Sequence, residues 1–307
     1  MSAIEAPRAI WDRDLATIAE PAAAWLYHGF LAKGNITLLT GAHKFGKTSL
    51  LAQLLARRQN GGTLAGLPVL PGKSVVITEE PPALWAERVR HHDLNGHVCF
   101  FPQPFARLPS AAEWGALVER VADLQAREGA DLVVVDPLSQ VVAHENLARG
   151  MLDVLMPLRT LTARGMAVLL AHHPAKHARI LGQWGRGHGV LHSYVDISIE
   201  MGEVNGDPDS RARRFYCRSR YAETPRHFLF ELNADGSDYT QLPDAADEEF
   251  QRQWDVLRMV LEDAQQKLTR RDILDEWPAD FAKPNTGTLW RWLSRAVAGG
   301  LMLTEGT

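Results

Sequence analysis

Short apolar runs alternate with longer amphipathic stretches along most of the first 240 residues. The runs are almost continuously apolar, which is typical of strands buried on both faces of a parallel sheet. The stretches repeat apolar residues every three or four positions, which is typical of helices that cover such a sheet. Strands are predicted at 34–40, 74–78, 98–101, 131–136, 166–171, 195–201, 211–216 and 227–232, and helices at 48–58, 85–90, 111–127 and 151–164. The alternation predicts an α/β fold.

Breaks in this pattern predict the connections and the domain boundaries. Residues 60–73 are rich in glycine and proline and predict a run of turns. Pro157 is expected to break or bend its helix, because proline has no N–H group for an interior helical position. Residues 243–249 are acidic and polar, which indicates a linker. The predicted parts are an N-terminal arm, 1–30, an α/β domain, 31–242, and a C-terminal unit, 243–307.

The arm and the C-terminal unit each have a distinct pattern. Apolar residues of the arm, among them Ile10 and Trp11, predict that it lies on an apolar surface of its own domain or of a neighbouring subunit. The C-terminal unit is predicted to contain three helices, and Thr269 and Asp272 have the spacing of a capping box. With a strand predicted at 301–304, the pattern is that of a winged-helix arrangement whose wing is expected to be cut short at Thr307.

The third helix of the C-terminal unit has an apolar face and a basic face. It is predicted to start at Asn285 or Thr286 and to end at a Gly-Gly pair, 299–300. The residues expected to face inward are Leu289, Leu293 and Val297, and those on the basic face are Thr288, Arg291 and Arg295. A basic face of this kind could meet the phosphates or base edges of duplex DNA. Because the unit carries more acid than base, a protein-contact module is the alternative.

Composition indicates a soluble globular protein. Hydrophobic residues make up 46% and charged residues 23% of the 307 positions. The net charge of -4 excludes a globally basic protein, so any DNA contact has to come from a local patch. No signal peptide and no bilayer-spanning apolar run is recognisable. Cys99 and Cys217 lie in apolar runs without metal-type partners, which predicts reduced core thiols in a cytoplasmic protein.

The strongest chemical signal is a phosphate loop of the pattern G-x-x-x-x-G-K-T between a predicted strand and a predicted helix. Glycines let the backbone curl so that its N–H groups point at an anion, and the helix N-terminus adds positive potential. The residues expected to bind the nucleotide are Gly41, Ala42, His43, Lys44, Phe45, Gly46, Lys47, Thr48 and Ser49. Lys47 is expected to reach the outer phosphates of ATP, and the Thr48 hydroxyl to hold Mg²⁺.

Polar residues follow three other predicted strands. Glu79 and Glu80 end one strand and are suited to orienting or deprotonating water. Asp136 ends the next, at the edge where ligands bind in open α/β sheets, and is expected to hold Mg²⁺ with Thr48. His172 and His173 end a third strand and are interpreted as polar sensors of the nucleotide. Zinc is a weaker interpretation, because acidic or cysteine partners at ligand spacing are missing from the sequence around them.

The ordered motifs over 31–242 resemble the RecA-like ATPases of the DnaB-type and plasmid RepA-type hexameric helicases. The phosphate loop and Asp136 match the two Walker motifs, and Glu80 falls at the family's catalytic glutamate. His173 falls at the sensor position, which is glutamine in DnaB-type and histidine in RepA-type proteins. Gly189 and Asp196 match a glycine and an aspartate that bracket the next step from helix to strand.

Two arginines complete the resemblance. Arg218 and Arg220 match a Lys-x-Arg pair that reaches the γ-phosphate held by the neighbouring subunit, with arginine here in place of the lysine. The resemblance implies a hexameric ring, single-stranded DNA passing through it, and a channel lined by the glycine-rich segment 182–189. The family's N-terminal collar domain has no counterpart in the sequence. A DNA-dependent motor acting in replication is the main expectation; a nucleotide-switched DNA-binding regulator and a recombination or signalling ATPase are the alternatives.

Overall fold

The computed structural model describes residues 9–12, 14, 23–142, 148–173, 189–204, 210–243, 245–262, 264, 267–298 and 302. The chain divides into two compact units, Met1–Gln241 and Leu242–Thr307. Among the described residues, no helix has the length and apolar character needed to span a membrane.

The first unit contains a nine-stranded sheet of order β13-β12-β11-β10-β3-β9-β8-β6-β7. Its strands are β3 Ile36–Gly41, β6 Lys73–Thr78, β7 Val98–Pro102, β8 Ala130–Asp136, β9 Ala167–His172, β10 Ile197–Glu203, β11 Ala212–Ser219, β12 His227–Leu232 and β13 Tyr239–Leu242. The six strands from β10 to β7 pair in parallel, whereas β11 pairs antiparallel with both of its neighbours. The result is the mixed α/β fold with a large, mostly parallel sheet that a RecA-like core requires.

Helices cover both faces of this sheet, as the continuous apolar runs predict. They are α1 Lys47–Arg57, α2 Pro82–His91, α3 Ala111–Glu128, α4 Ala148–Thr162 and α5 Gly189–Tyr194. Alternate residues of β8 point to opposite cores: Val134 belongs to the core that contains Leu51 of α1, and Val135 to the core that contains Trp114 of α3. The helix α4 continues through Pro157, so the break predicted there as one of two outcomes does not occur.

A second, four-stranded sheet closes one of these cores. Its strands are β1 Trp25–Tyr27, β2 Leu31–Ala32, β4 Gly62–Leu64 and β5 Leu67–Val69. The segment predicted as a run of turns therefore contains a hairpin, β4–β5, whose turn has positive φ at Ala65 and Gly66. The end of the predicted arm belongs to the same layer, because Leu26 and Phe30 are buried in the first unit's core.

Within its described residues, the second unit has three helices around a core of its own. They are α6 Ala245–Glu262, α7 Arg270–Asp275 and α8 Thr286–Ala298. The predicted capping box is formed at the start of α7, where the Thr269 hydroxyl accepts from the Asp272 N–H and Asp272 accepts from the Thr269 N–H. The segments predicted as a Gly-Gly helix stop and a strand, 299–304, lie outside the described residues except for Met302.

Three local predictions are wrong. The acidic segment predicted as a linker is largely the start of α6, since acidic residues also suit a helix N-terminus. Val297 is 38% exposed instead of buried. It lies about 80° around the helix from the fully buried Leu289, whereas Ala296 returns to within about 20° and is buried. Cys99 is exposed because β7 is an edge strand, whereas Cys217 is buried, which raises the pKa of its thiol.

Candidate functional site

The phosphate loop joins the end of β3 to the start of α1, between two strands that extend the sheet on either side. Close packing favours glycine at Gly41, because a Cβ atom there would make tight contacts, 3.2 Å from the Lys47 Cδ and 3.3 Å from the Met201 carbonyl oxygen. Gly46 is required by its backbone, which has φ 89 at the N-cap of α1. With no side-chain cap on this helix, its first N–H groups remain available to an anion.

Lys47 is buried beneath the loop. Its Nζ donates to the carbonyl oxygens of Gly41 at 2.6 Å and Ala42 at 3.0 Å, and contacts Nδ1 of His173 at 3.1 Å. Burial lowers the pKa of Lys47 to about 8, and the negative charge of Asp136 opposes this shift. Burial, and then the charge of Lys47, lower the pKa of His173. A neutral His173 is therefore suited to accept from the lysine.

Thr48 and Asp136 meet across the site, as the sequence predicts for a magnesium site. The Thr48 hydroxyl donates to Asp136 Oδ2 at 3.0 Å. Burial raises the pKa of Asp136, while the Thr48 hydrogen bond and the Lys47 charge lower it. A hydroxyl and a buried carboxylate are oxygen ligands of the kind that Mg²⁺ prefers. The donor set present at this position therefore fits the metal.

One cleft is enclosed by the phosphate loop with the start of α1, by the segment from the end of β6 into α2, and by the ends of β8 and β9. Its volume is about 280 Å³, close to the lower end of the roughly 300–1,000 Å³ typical of small-molecule sites. The lining residues are His43, Lys44, Gly46, Lys47, Thr48, Ser49, Glu79, Glu80, Arg88, Asp136, Pro137 and His173. The structure therefore brings together the predicted loop, both glutamates, Asp136 and His173. His172, by contrast, is buried within β9 and does not line the cleft.

Two arginines contribute to the site without being indicated by the sequence. Arg88 of α2 donates to both carboxylate oxygens of Glu80, at 2.5 and 2.9 Å. Arg213 of β11 donates from Nε to the Phe45 carbonyl oxygen at 3.1 Å, and its guanidinium lies over the Phe45 ring. Glu80 lies before the start of α2, so the helical spacing of Arg88 does not predict a contact between them. Arg213 and Phe45 are 168 residues apart in the sequence. Neither contact leaves a local sequence signal.

Arg218 and Arg220 lie far from the phosphate loop of their own chain. Arg218 pairs with Ser198, and Ser198 pairs with Leu38 near the start of β3, whereas the loop follows the end of β3. Arg220 lies 3.6 Å from Asp196, and Asp196 accepts from the Ile36 N–H at 2.9 Å. Ile36 and Gly41 are the two ends of β3, so the separation along the strand is about 16 Å. The described fold does not bring these arginines to the Lys47 cleft.

The fold and the cleft together define a P-loop nucleotide-binding protein. Residues 2–179, more than half of the chain, match the family model of the AAA domain, and the chain belongs to that family. It is accordingly a nucleotide-hydrolysing ATPase of the P-loop type that binds ATP. No curated protein matches the chain.

Glu80→Gln is expected to bind ATP but to hydrolyse it about 10²–10⁴-fold more slowly, because a general base contributes a factor of that size. The amide keeps the shape of the side chain and leaves the phosphate loop untouched. Single-turnover phosphate release and nucleotide binding are measured on the same preparation. Glu79→Gln is the matched control, since Glu79 lines the same cleft without the Arg88 contact. A loss in the Glu79 variant alone would assign the role to the other carboxylate.

Proposed function

We propose that the protein is an ATP-driven, DNA-dependent motor of the helicase-like kind, which acts as a ring oligomer in DNA replication. The observation that carries the proposal is the separation of Arg218 and Arg220 from their own phosphate loop. Both side chains are exposed, at the end of β11 opposite to that loop. Arginines of this kind are useful to hydrolysis only when a second copy of the chain presents its own cleft to them.

Within one cleft, each side chain has a separate task. Lys47 and the loop N–H groups bind the phosphates of ATP, Thr48 and Asp136 hold Mg²⁺, and Glu80 orients the attacking water. Bound Mg²⁺ supplies charge neutralisation at the phosphate oxygens. His173, in contact with Lys47, is positioned to respond when the lysine turns to a phosphate. The channel loop expected to receive that response, 182–189, lies outside the described residues except for Gly189 at the start of α5.

The second unit is proposed to be a winged-helix-like DNA contact. Every charged residue of α8 is an arginine, so the helix surface is locally basic although the whole chain is not. The Arg291 guanidinium donates to the Thr288 hydroxyl at 3.1 Å, in agreement with a shared face. Arg295 lies over the Phe250 ring of α6, 4.2 Å from its centroid, and remains exposed. Trp290, which is 51% exposed beside Arg291, adds an aromatic surface.

Hydrolysis and strand displacement together test the motor. Single-stranded DNA is expected to stimulate ATP hydrolysis, and a forked duplex is expected to lose its labelled strand only when ATP is present. The combined variant Arg291→Ala, Arg295→Ala is expected to keep its hydrolysis without DNA and to bind DNA more weakly. Its log–log salt slope should fall by roughly one for each lost phosphate contact.

Arg271→Ala is the control for this variant, because Arg271 is an exposed arginine of α7 in the same unit. Stimulated hydrolysis without displacement would favour the nucleotide-switched regulator or the recombination ATPase over the motor. A salt slope that equals that of the control would assign α8 to a protein partner instead of DNA.

A further inference from the structure

Arg88 forms an ion pair with Glu80 that competes with water for the glutamate's oxygens. Both carboxylate oxygens accept from the guanidinium, at 2.5 and 2.9 Å, and the two side chains are only 26% and 24% exposed. A carboxylate acts as a base or orients water through an oxygen lone pair that points at that water. An arginine fork that covers both oxygens stabilises the charged form and competes for those lone pairs. Release by Arg88 would therefore leave both oxygens of Glu80 available to that water.

A phosphate bound in the cleft would compete with Glu80 for Arg88. The guanidinium lines the same cavity as Lys47, Lys44 and the phosphate loop, which is built for an anion. A phosphate offers two oxygens to an arginine fork in the same way as a carboxylate does. Glu80 is proposed to stand beside the water that attacks the terminal phosphate. Its partner arginine is therefore expected to meet that phosphate rather than the inner ones.

The surroundings of Arg88 allow the side chain to move while its helix stays in place. The start of α2 is anchored through Thr78, whose hydroxyl accepts from the Glu80 N–H at 3.1 Å and from the Trp85 indole N–H at 3.2 Å. The Trp85 ring is buried, and Arg88 lies over it, 5.0 Å from the centroid. A flat aromatic surface supports the guanidinium without fixing its direction.

We propose that Arg88 exchanges partners when ATP binds, leaving Glu80 for the terminal phosphate and so freeing the glutamate to orient water. In the empty site the guanidinium of Arg88 stays paired with the carboxylate of Glu80. With ATP the guanidinium becomes a phosphate contact supplied by the chain that holds the nucleotide, in addition to the arginines proposed to come from a neighbour. ADP lacks the terminal phosphate and leaves the pair intact. This inference rests on the proposed function, since it assigns a regulation to the same site.

A double-mutant cycle on nucleotide affinity tests the exchange without any turnover. Dissociation constants for ADP and for a non-hydrolysable ATP analogue are measured with Mg²⁺ for the wild type, Glu80→Gln, Arg88→Ala and the combined variant. If the pair breaks on binding, Glu80→Gln should bind the ATP analogue about tenfold more tightly than the wild type, within the range of couplings known for contacting residues. In the Arg88→Ala background the same substitution should change the affinity by less than about threefold. ADP should show no coupling.

Arg90→Ala is the matched control, because Arg90 is an exposed arginine of the same helix. If the double-mutant cycle shows no coupling between Glu80 and Arg88 for the ATP analogue, or shows equal coupling for ADP, the proposed exchange of partners by Arg88 is wrong. Lys47→Ala in the same assay separates this outcome from a failure of the proposed function. If Lys47→Ala leaves the affinity for both nucleotides unchanged, the cleft is not the ATP site and the proposed function fails as well.

Discussion

Lys47→Ala is expected to abolish ATP hydrolysis and to weaken ATP binding. The Nζ atom is held at the loop by two carbonyl oxygens and by His173, and burial of the side chain lowers its pKa. A phosphate that enters this site adds negative charge beside the lysine, where Asp136 alone only partly offsets the effect of burial. Removing the lysine leaves the outer phosphates without their point charge. Phosphate release and binding of a fluorescent ATP analogue measure the two effects.

Lys73→Ala is the control for this variant. Lys73 forms an exposed ion pair with Glu128, and pairs of that kind are worth roughly 0–1 kcal/mol. The control should therefore fold and hydrolyse ATP like the wild type. If Lys47→Ala hydrolyses ATP at close to the rate of the control, the phosphate loop is not the site of ATP hydrolysis.

Arg220→Ala is expected to bind ATP normally and to hydrolyse it about 10³–10⁵-fold more slowly, the factor that an arginine supplied by a neighbouring subunit can contribute. The side chain is 67% exposed and lies at the end of the sheet opposite to its own cleft. Wild-type hydrolysis per chain should accordingly rise with protein concentration over the range in which oligomers assemble. Arg127→Ala, an exposed arginine at the end of α3, is the control.

A first-order dependence of the rate on protein concentration throughout that range, with no loss in Arg220→Ala, would contradict the role of a neighbour. Loss of ATP binding in the variant would have a different meaning. It would indicate that removing the contact between Arg220 and Asp196 disturbs β10, since Asp196 also accepts from the Ile36 N–H.

The sequence predicted the central sheet well, because its strands carry strong local signals. Strands buried on both faces have continuous apolar runs, and α3 has an apolar face with Trp114 at its centre. The hairpin β4–β5 was missed because its strands are three residues long and rich in glycine and proline. The start of α6 was missed because acidic residues are typical of linkers and of helix N-termini alike.

The residues of the site likewise divide into those that a local sequence signal predicts and those whose contacts depend on the folded chain. The phosphate loop and Asp136 were predictable, since a chain segment of fixed spacing or a strand end determines where they lie. The meeting of Thr48 with Asp136 follows from the parallel register of the strands that carry them to one edge. The contact of Arg213 with Phe45 depends on the position of β11 beside β10, which no local pattern specifies. Arg88 is close to Glu80 in sequence, but a cationic residue on an exposed helix is ordinarily solvated.

If one chain holds ATP and a second copy completes its site, mixing two inactive variants should restore hydrolysis, and this mixing experiment is the most direct test. Arg220→Ala keeps an intact cleft, and Lys47→Ala keeps intact arginines. One variant is titrated into the other at fixed total protein, and native mass measurements monitor the mixed oligomers. Hydrolysis is expected to appear on mixing and to be highest at intermediate ratios, because an intact cleft then meets an intact arginine. Absence of hydrolysis although mixed oligomers form would contradict completion of the site by a second copy.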